Sequence, residues 1–358
     1  MEEEKLTKRR IFLSRLKRRI LKHLWLTRIG LLGIIGMGVS LVIWGIVGFI
    51  GKTSLGYYLD LAKNFLFTPS EEVLSFEGRT NVLILGKGGE GHEAPDLTDT
   101  IIFVSFSHKK DDLVFISIPR DIWIPALRAK LNSIYYWGNQ KQSGGGILLA
   151  KSSVEEILGQ PIHYAAVVDF YGFLKVIDIL GGIDVNVENS FTDEKYPIPG
   201  RENDLCEGDK ELKCRYETVR FEKGLQTMDS ETALKFVRSR NAQGDEGTDF
   251  ARSARQQKII DAIIKKVSMP SIFLSKSKVS SLWTIFKDSI ETDIGDSVLV
   301  ILVRRAFDAR ESKRSFILPE EFLENPPISA KYDNLYVFIP KKGDWSEVKE
   351  WVKEILNK

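Results

Sequence analysis

Three short, almost unbroken apolar runs follow one another between residues 81 and 118: NVLILG (81–86), TIIFVSF (100–106) and LVFISI (113–118). Their length and their content of Val, Ile and Phe predict central strands buried on both faces rather than half-exposed ones. Helical spacing then takes over at 145–158 (GGILLAKSSVEEIL) and 170–180 (FYGFLKVIDIL), with a further strand expected at 162–169. Strands alternating with helices predict an α/β domain with helices on both faces of a central mixed sheet. Residues 269–358 repeat the style more loosely and end in an amphipathic helix at 345–357, so they are read as a C-terminal α/β extension of a domain covering 79–268.

One apolar run is of another kind. Ile29 to Ile50 are 22 residues without a charge. As a helix they would span about 33 Å, enough for a bilayer core of about 30 Å. Ten Lys and Arg precede them in residues 1–28. The positive-inside rule therefore makes 1–28 a basic cytoplasmic tail and 29–50 one N-terminal transmembrane helix, with 52–358 extracytoplasmic. A cleaved signal peptide is the rival reading, but its apolar core spans only about 7–15 residues before a small-residue cleavage site. Residues 51–78, broken by Pro69-Ser70, read as a stalk.

Charge changes the picture further. The formal net charge is +2, but once the tail is set aside 41 basic residues face 46 acidic ones. A nucleic-acid partner is not expected of such a folded part. Cys206 and Cys214, in a polar stretch outside the cytoplasm, are expected to form a local disulfide. The four histidines are scattered and none sits at a zinc-ligand spacing from them.

Gly86-Lys87-Gly88-Gly89-Glu90-Gly91 matches G-x-G-x-x-G literally. A dinucleotide site needs the last glycine to open a helix, whereas HEAPDLTDT follows and the next strand begins at Thr100. The match fails its context. Chemistry is better sought at the strand ends, in Asp99-Thr100, Pro119-Arg120-Asp121 and Lys130-Leu131-Asn132. Further along, Asp229 or Ser230 can cap a short helix leading to Arg238-Ser239-Arg240. Asp249 can cap the next, which carries Arg252 and Gln256 one turn apart beside Arg255, with Ile259, Ile260 and Ile263 facing the sheet. Several guanidiniums so placed repel one another unless an anion joins them, and a phosphate or diphosphate suits that fork. Next to such an anion, Asp99 could hold Mg²⁺ rather than merely open a strand.

These residues resemble the LytR–CpsA–Psr family of cell-envelope phosphotransferases. The likeness runs from about Asn81 to Lys266 through NVLILG, DT, SIPRD, KLN, VDFYGFLKVIDILGGIDVNV, KGLQTMDSETALKFVRSR and DFARSARQQ. It implies a signal-anchored, single-pass membrane protein with an extracytoplasmic αβα sandwich, and an apolar tunnel for a polyisoprenyl chain. It also implies transfer of a glycopolymer from a polyprenyl (undecaprenyl) diphosphate carrier in the membrane lipid onto peptidoglycan, assisted by Mg²⁺. The diphosphate-binding positions fall on Arg120, Arg238, Arg240, Arg252 and Gln256, and the acidic ones on Asp99, as metal ligand, and Asp249. One departure stands out. The family usually has a metal-binding aspartate where this chain has Gly88; either Asp96 or Glu90 replaces it, Asp96 being preferred, or metal binding is weaker.

The expected activity is phosphoryl transfer outside the membrane. Arg120 would stabilise developing charge, and Asp121 or Asp249 would serve as base or orienting group. Two other readings share these residues: a non-catalytic polyprenyl-phosphate-binding regulator of envelope synthesis, and a polyprenyl diphosphate hydrolase.

Overall fold

The computed structural model describes residues 73–358 apart from 93, together with positions 37, 38, 40, 41, 44, 48 and 63. The basic tail, most of the uncharged run 29–50 and most of the stalk therefore lie outside the described residues. Among the described residues no helix is long and apolar enough to cross a membrane. The chain divides into two units, Met1–Phe67 and Thr68–Lys358, and the sheet with its helices belongs to the second.

Strands β1 (Arg79–Lys87), β2 (Thr98–Ser107) and β3 (Leu113–Ser117) form an antiparallel meander. Helices α1 (Ile134–Lys141) and α2 (Gly145–Leu158) follow, then β4 (Tyr164–Asp169), parallel to β1, and α3 (Phe170–Leu180). Strands β5 (Ile183–Val187), β6 (Phe191–Pro197), β7 (Tyr216–Phe221) and β8 (Gly224–Met228) make two separate antiparallel pairs, β5 with β8 and β6 with β7. Next come α4 (Ser230–Arg238), α5 (Asp249–Val267) and α6 (Lys276–Ser289). The chain ends with β9 (Ile290–Thr292), α7 (Asp296–Asp308), β10 (Lys313–Ile317) and α8 (Ser346–Asn357). The central sheet is mixed, in the order β9–β4–β1–β2–β3–β10. Both edge strands thus come from residues 269–358, which share one sheet with what precedes them.

The apolar runs are buried on both faces, as their composition predicts. Leu83, Leu85, Phe103 and Ile116 pack under α1, α2 and α8, through Tyr135, Ile157 and Val352 among others. Their neighbours along the strands, Val82, Ile102, Val104 and Phe115, point to the other face, where Ile301 and Leu302 of α7 and Ile260 and Ile264 of α5 cover them. This alternation is the two-residue period of a strand. A third core joins α3, α4 and α5 to the two small strand pairs through Ile177, Val185, Phe191, Phe221, Phe236 and Ile259. Helix α5 therefore serves two cores, with Ile260 on the sheet and Ile259 and Ile263 on the neighbouring one.

Asp112, between β2 and β3, ties an edge strand to the centre. Its carboxylate accepts from Arg79 Nη1 on β1 (2.9 Å) and from Arg314 Nε and Nη2 on β10 (2.9 and 2.8 Å). The same arginines donate to the carbonyls of Leu356 and Ile355 at the end of α8, where the helix dipole favours cations. Burial opposes the charge on Asp112, but Arg314 and Arg79 outweigh it and hold the carboxyl below its ordinary range. The pairing therefore contributes fully above about pH 3.9, the ordinary aspartate value, and is lost as pH falls below it. On acidification from pH 5 to 3 the melting temperature of the wild-type chain should fall more steeply than that of Asp112→Asn. Equal slopes would contradict this assignment.

Candidate active site

Because β2 runs against β1 and β3, its beginning lies beside their ends. Asp99, the second residue of β2, thereby meets Arg120, three residues beyond β3. The segment after β3 is held in place by backbone bonds from Leu131 N to Ile122 O (2.8 Å) and from Asn132 N to Arg120 O (3.0 Å). Thr98 Oγ1 donates to the carbonyl of Asn132 (3.1 Å), which locks that segment onto the start of β2.

Arg120 is the hub. Its Nη1 donates to Asp99 Oδ1 at 2.6 Å, its Nη2 lies 3.9 Å from Asp249 Oδ1, and its Nε lies 3.4 Å from Asp121 Oδ2 without a hydrogen bond. Burial disfavours the guanidinium charge, but Asp99, Asp121 and Asp249 overcome that and raise its pKa. Asp249 also receives Arg252 Nη2 at 2.6 Å. Arg252 is buried, with only 8% of its side chain exposed, and burial together with the nearby Arg120 lowers its pKa. Burial likewise works against the Asp99 carboxylate, yet Arg120, Arg252 and a hydrogen bond from Asn132 leave its pKa lowered. Asp99, Arg120, Asp249, Arg252, Ser253 and Gln256 line one cleft.

The expected cap of α5 is corrected by one residue. Thr248 Oγ1, not Asp249, accepts from the helix, at Ala251 N (3.1 Å), which leaves the Asp249 carboxylate to bridge the two arginines. Asp229 does cap α4, accepting from Thr232 N at 2.8 Å. Arg238, at the end of α4, and Arg240 are not among the residues that line this cleft; the Arg238 guanidinium lies 4.6 Å from the Phe170 ring centre and 5.4 Å from that of Tyr196. Arg240 is exposed and close enough to Arg252 to depress its pKa. Asp121 does not line the cleft. Its side chain is 6% exposed and its Oδ1 accepts from Lys130 Nζ at 2.6 Å, so it acts as an internal counter-charge rather than an accessible base.

The glycine loop opens no helix, in keeping with its reading as a decoy. At Gly88 the His92 ring occupies the room of a side chain: a Cβ there would stand 2.9 Å from His92 Cγ. An aspartate at 88 would collide with that ring. Asp96, the preferred substitute, is engaged instead by Lys87 Nζ at 2.8 Å, and no contact among the described residues joins it to Asp99. Asp99 alone fits a cation such as Mg²⁺, which takes one or two carboxylates and fills its shell with phosphate oxygens and water. Its side chain is 49% exposed; Arg120 holds Oδ1 and Asn132 donates a further hydrogen bond to the carboxylate.

Two buried charges stand behind the site: Arg255, placed from sequence beside the anion-binding pair, and Asp193, which was not singled out. Arg255 turns away from the cleft, and Asp193 lies on β6. Asp193 follows Phe191 on the same face of that strand, where an acid is out of pattern; that was the available signal. Cys206 and Cys214 are joined by a disulfide that closes the loop between β6 and β7.

Known proteins share this fold. The polyisoprenyl-teichoic acid–peptidoglycan teichoic acid transferase TagU of Bacillus cereus is 24% identical over 293 residues, 81% of this chain and 86% of its own. Among solved structures, Bacillus subtilis TagV superposes with a TM-score of 0.55 at 24% identity, covering 79% of this chain and 99% of TagV. Protein gbs0355 from Streptococcus agalactiae superposes with a TM-score of 0.56 at 22% identity, covering 78% and 88%. The LytR_cpsA_psr family model matches residues 62–354, a span that takes in the arginine cleft and the whole central sheet, and the chain belongs to that family.

Proposed function

We propose that this chain transfers a glycosyl-phosphoryl group from a membrane polyprenyl diphosphate carrier to a hydroxyl of peptidoglycan, outside the cytoplasm and anchored by residues 29–50. The observation that carries the reading is the row Asp99–Arg120–Asp249–Arg252, two guanidiniums alternating with two carboxylates at an open cleft. Such a row is charge-balanced while empty and can re-pair with a diphosphate when one enters, since guanidiniums fork onto phosphate oxygens. The names of relatives such as TagU support the same substrate class.

In the reaction the acceptor oxygen attacks the sugar-bearing phosphorus, the bond to the lipid phosphate breaks, and polyprenyl phosphate leaves. Arg120 and Arg252 bind the diphosphate and stabilise charge on the transferred and departing phosphates. Asp249 is the carboxylate in the cleft able to take or orient the acceptor proton; its side chain is 35% exposed, against 6% for Asp121. Mg²⁺, held by Asp99 and phosphate oxygens, would supply further charge neutralisation.

The lipid chain finds support in α6, which buries none of its residues. Its Leu282 and Phe286, with Phe173 and Val176 of α3 and Ile260 and Ile264 of α5, are only partly buried and leave apolar side chains open to an isoprenoid.

The test uses the full-length chain in detergent with a short-chain polyprenyl diphosphate-sugar, with and without Mg²⁺, and mass spectrometry of the products. Mg²⁺-dependent release of polyprenyl phosphate, lost in Asp99→Ala, is the expected result. Lipid that binds but is never turned over, even with peptidoglycan fragments present, would favour the regulator reading, for which the engagement of Asp96 by Lys87 is the motivating observation.

A further inference from the structure

The strand of chain that carries Arg240 is gripped from both sides by buried charges. Asp193, 0% exposed, accepts from three backbone N–H groups: Lys195 N at 2.9 Å, Arg240 N at 3.1 Å and Asn241 N at 3.2 Å. Arg255, 2% exposed, faces the carbonyls of the same turn. Its Nε donates to Phe236 O (3.1 Å), its Nη2 to Ser239 O, and its Nη1 to Glu246 O (2.9 Å) and Oε2 (2.8 Å). The Phe191 ring lies under its guanidinium at 4.7 Å.

A carboxylate and a guanidinium in the interior are costly unless their hydrogen bonds are met, and here most of those bonds go to backbone. Residues 239–241 follow the end of α4 without regular structure to hold them. A turn of that kind would otherwise sample several conformations, and the Arg240 guanidinium at its tip would sample them too. Amides fixed on one side and carbonyls on the other leave the Arg240 side chain as the part free to meet a ligand.

We propose that Asp193 and Arg255 are positioning residues that hold the backbone of Arg240 in the diphosphate-binding geometry. The inference rests on the transferase reading above and deepens it: part of the diphosphate affinity is set by two charges that never touch the ligand. Preorganisation of this sort removes the ordering cost from the binding step.

Its test is a double-mutant cycle on the full-length protein in detergent, with inorganic pyrophosphate as the probe and calorimetry as the readout. Arg240→Ala is expected to weaken binding about tenfold or more, the loss of a charge-assisted hydrogen bond. Asp193→Asn keeps the side-chain volume, removes the charge and turns a donor toward the amides; it should weaken binding by a similar factor. The two changes together should do no more than either alone, because both act through one guanidinium. Arg255→Lys keeps the buried charge but loses the fork; it is the second variant, in case Asp193→Asn does not fold, and should behave in the same way. Melting temperatures measured alongside separate a loss of folded protein from a loss of affinity. Multiplying effects of Asp193→Asn and Arg240→Ala would overturn the positioning role alone. Unchanged pyrophosphate binding in both Arg120→Ala and Arg240→Ala would overturn the diphosphate reading and this inference with it.

Discussion

Arg120→Ala is expected to lower polyprenyl phosphate release by about 10³-fold or more, the range for removing a preorganised charge from a phosphoryl-transfer site. Three carboxylates converge on this one side chain, so its loss does more than delete a ligand contact. Asp99 would lose its guanidinium partner beside the incoming diphosphate, Asp249 would keep only Arg252, and the buried Asp121 only Lys130. Arg120→Lys should recover little, because an ammonium cannot fork between Asp99 and Asp249 as a guanidinium does. Initial rates of lipid phosphate release for the two variants check this. An Arg120→Ala rate within tenfold of wild type would show that the reaction does not depend on the hub.

Phe103→Ala should be among the most damaging single changes to the fold. Phe103 is 0% exposed in the middle of β2, in register with Leu83 on β1 and Ile116 on β3, both themselves buried. Truncating such a ring costs about 3–5 kcal/mol, because the neighbours cannot collapse into the cavity. Each kcal/mol moves the melting temperature of a domain of this size by about 2–4 °C, so a drop of about 10 °C is expected in a thermal melt. A drop under about 2 °C would mean that the sheet centre repacks freely, against the close packing of protein interiors.

The parts that were legible in the sequence are those fixed by local pattern. The runs at 81–86, 100–106 and 113–118 are short, rich in Val, Ile and Phe, and apolar at successive positions, which suits a strand covered on both faces. Helices α2 and α3 end at Gly159 (φ +66°) and Gly181 (φ +75°), and glycine in that backbone region is a helix stop readable from the chain. The edge strands β9 and β10 were not legible. They are short and largely half-exposed, and β10 begins with Lys313-Arg314. What makes them strands is pairing with β4 and β3 across long separations, which leaves no local signature.

The site divides along the same line. Arg120, Asp99, Asp249, Arg252 and Gln256 are brought together as the motifs suggested. Arg238 instead sits against Phe170 and Tyr196, two aromatic partners far away in sequence. Asp121 looked like a candidate base because it adjoins Arg120, and only the fold reveals Lys130 closing over it. Asp96, read as a substitute metal ligand, is ion-paired with Lys87 on the strand before it, a contact that only the fold reveals.

On the transferase reading the phosphoryl group moves to a sugar hydroxyl and not to water. The most direct test of that reading is the mass of the peptidoglycan fragment after incubation with the full-length protein, Mg²⁺ and a polyprenyl diphosphate-sugar. The expected product is a fragment heavier by one glycosyl-phosphoryl group (a sugar phosphate less water), formed in step with polyprenyl phosphate. Free sugar phosphate beside an unchanged fragment would contradict that reading and make the protein a hydrolase.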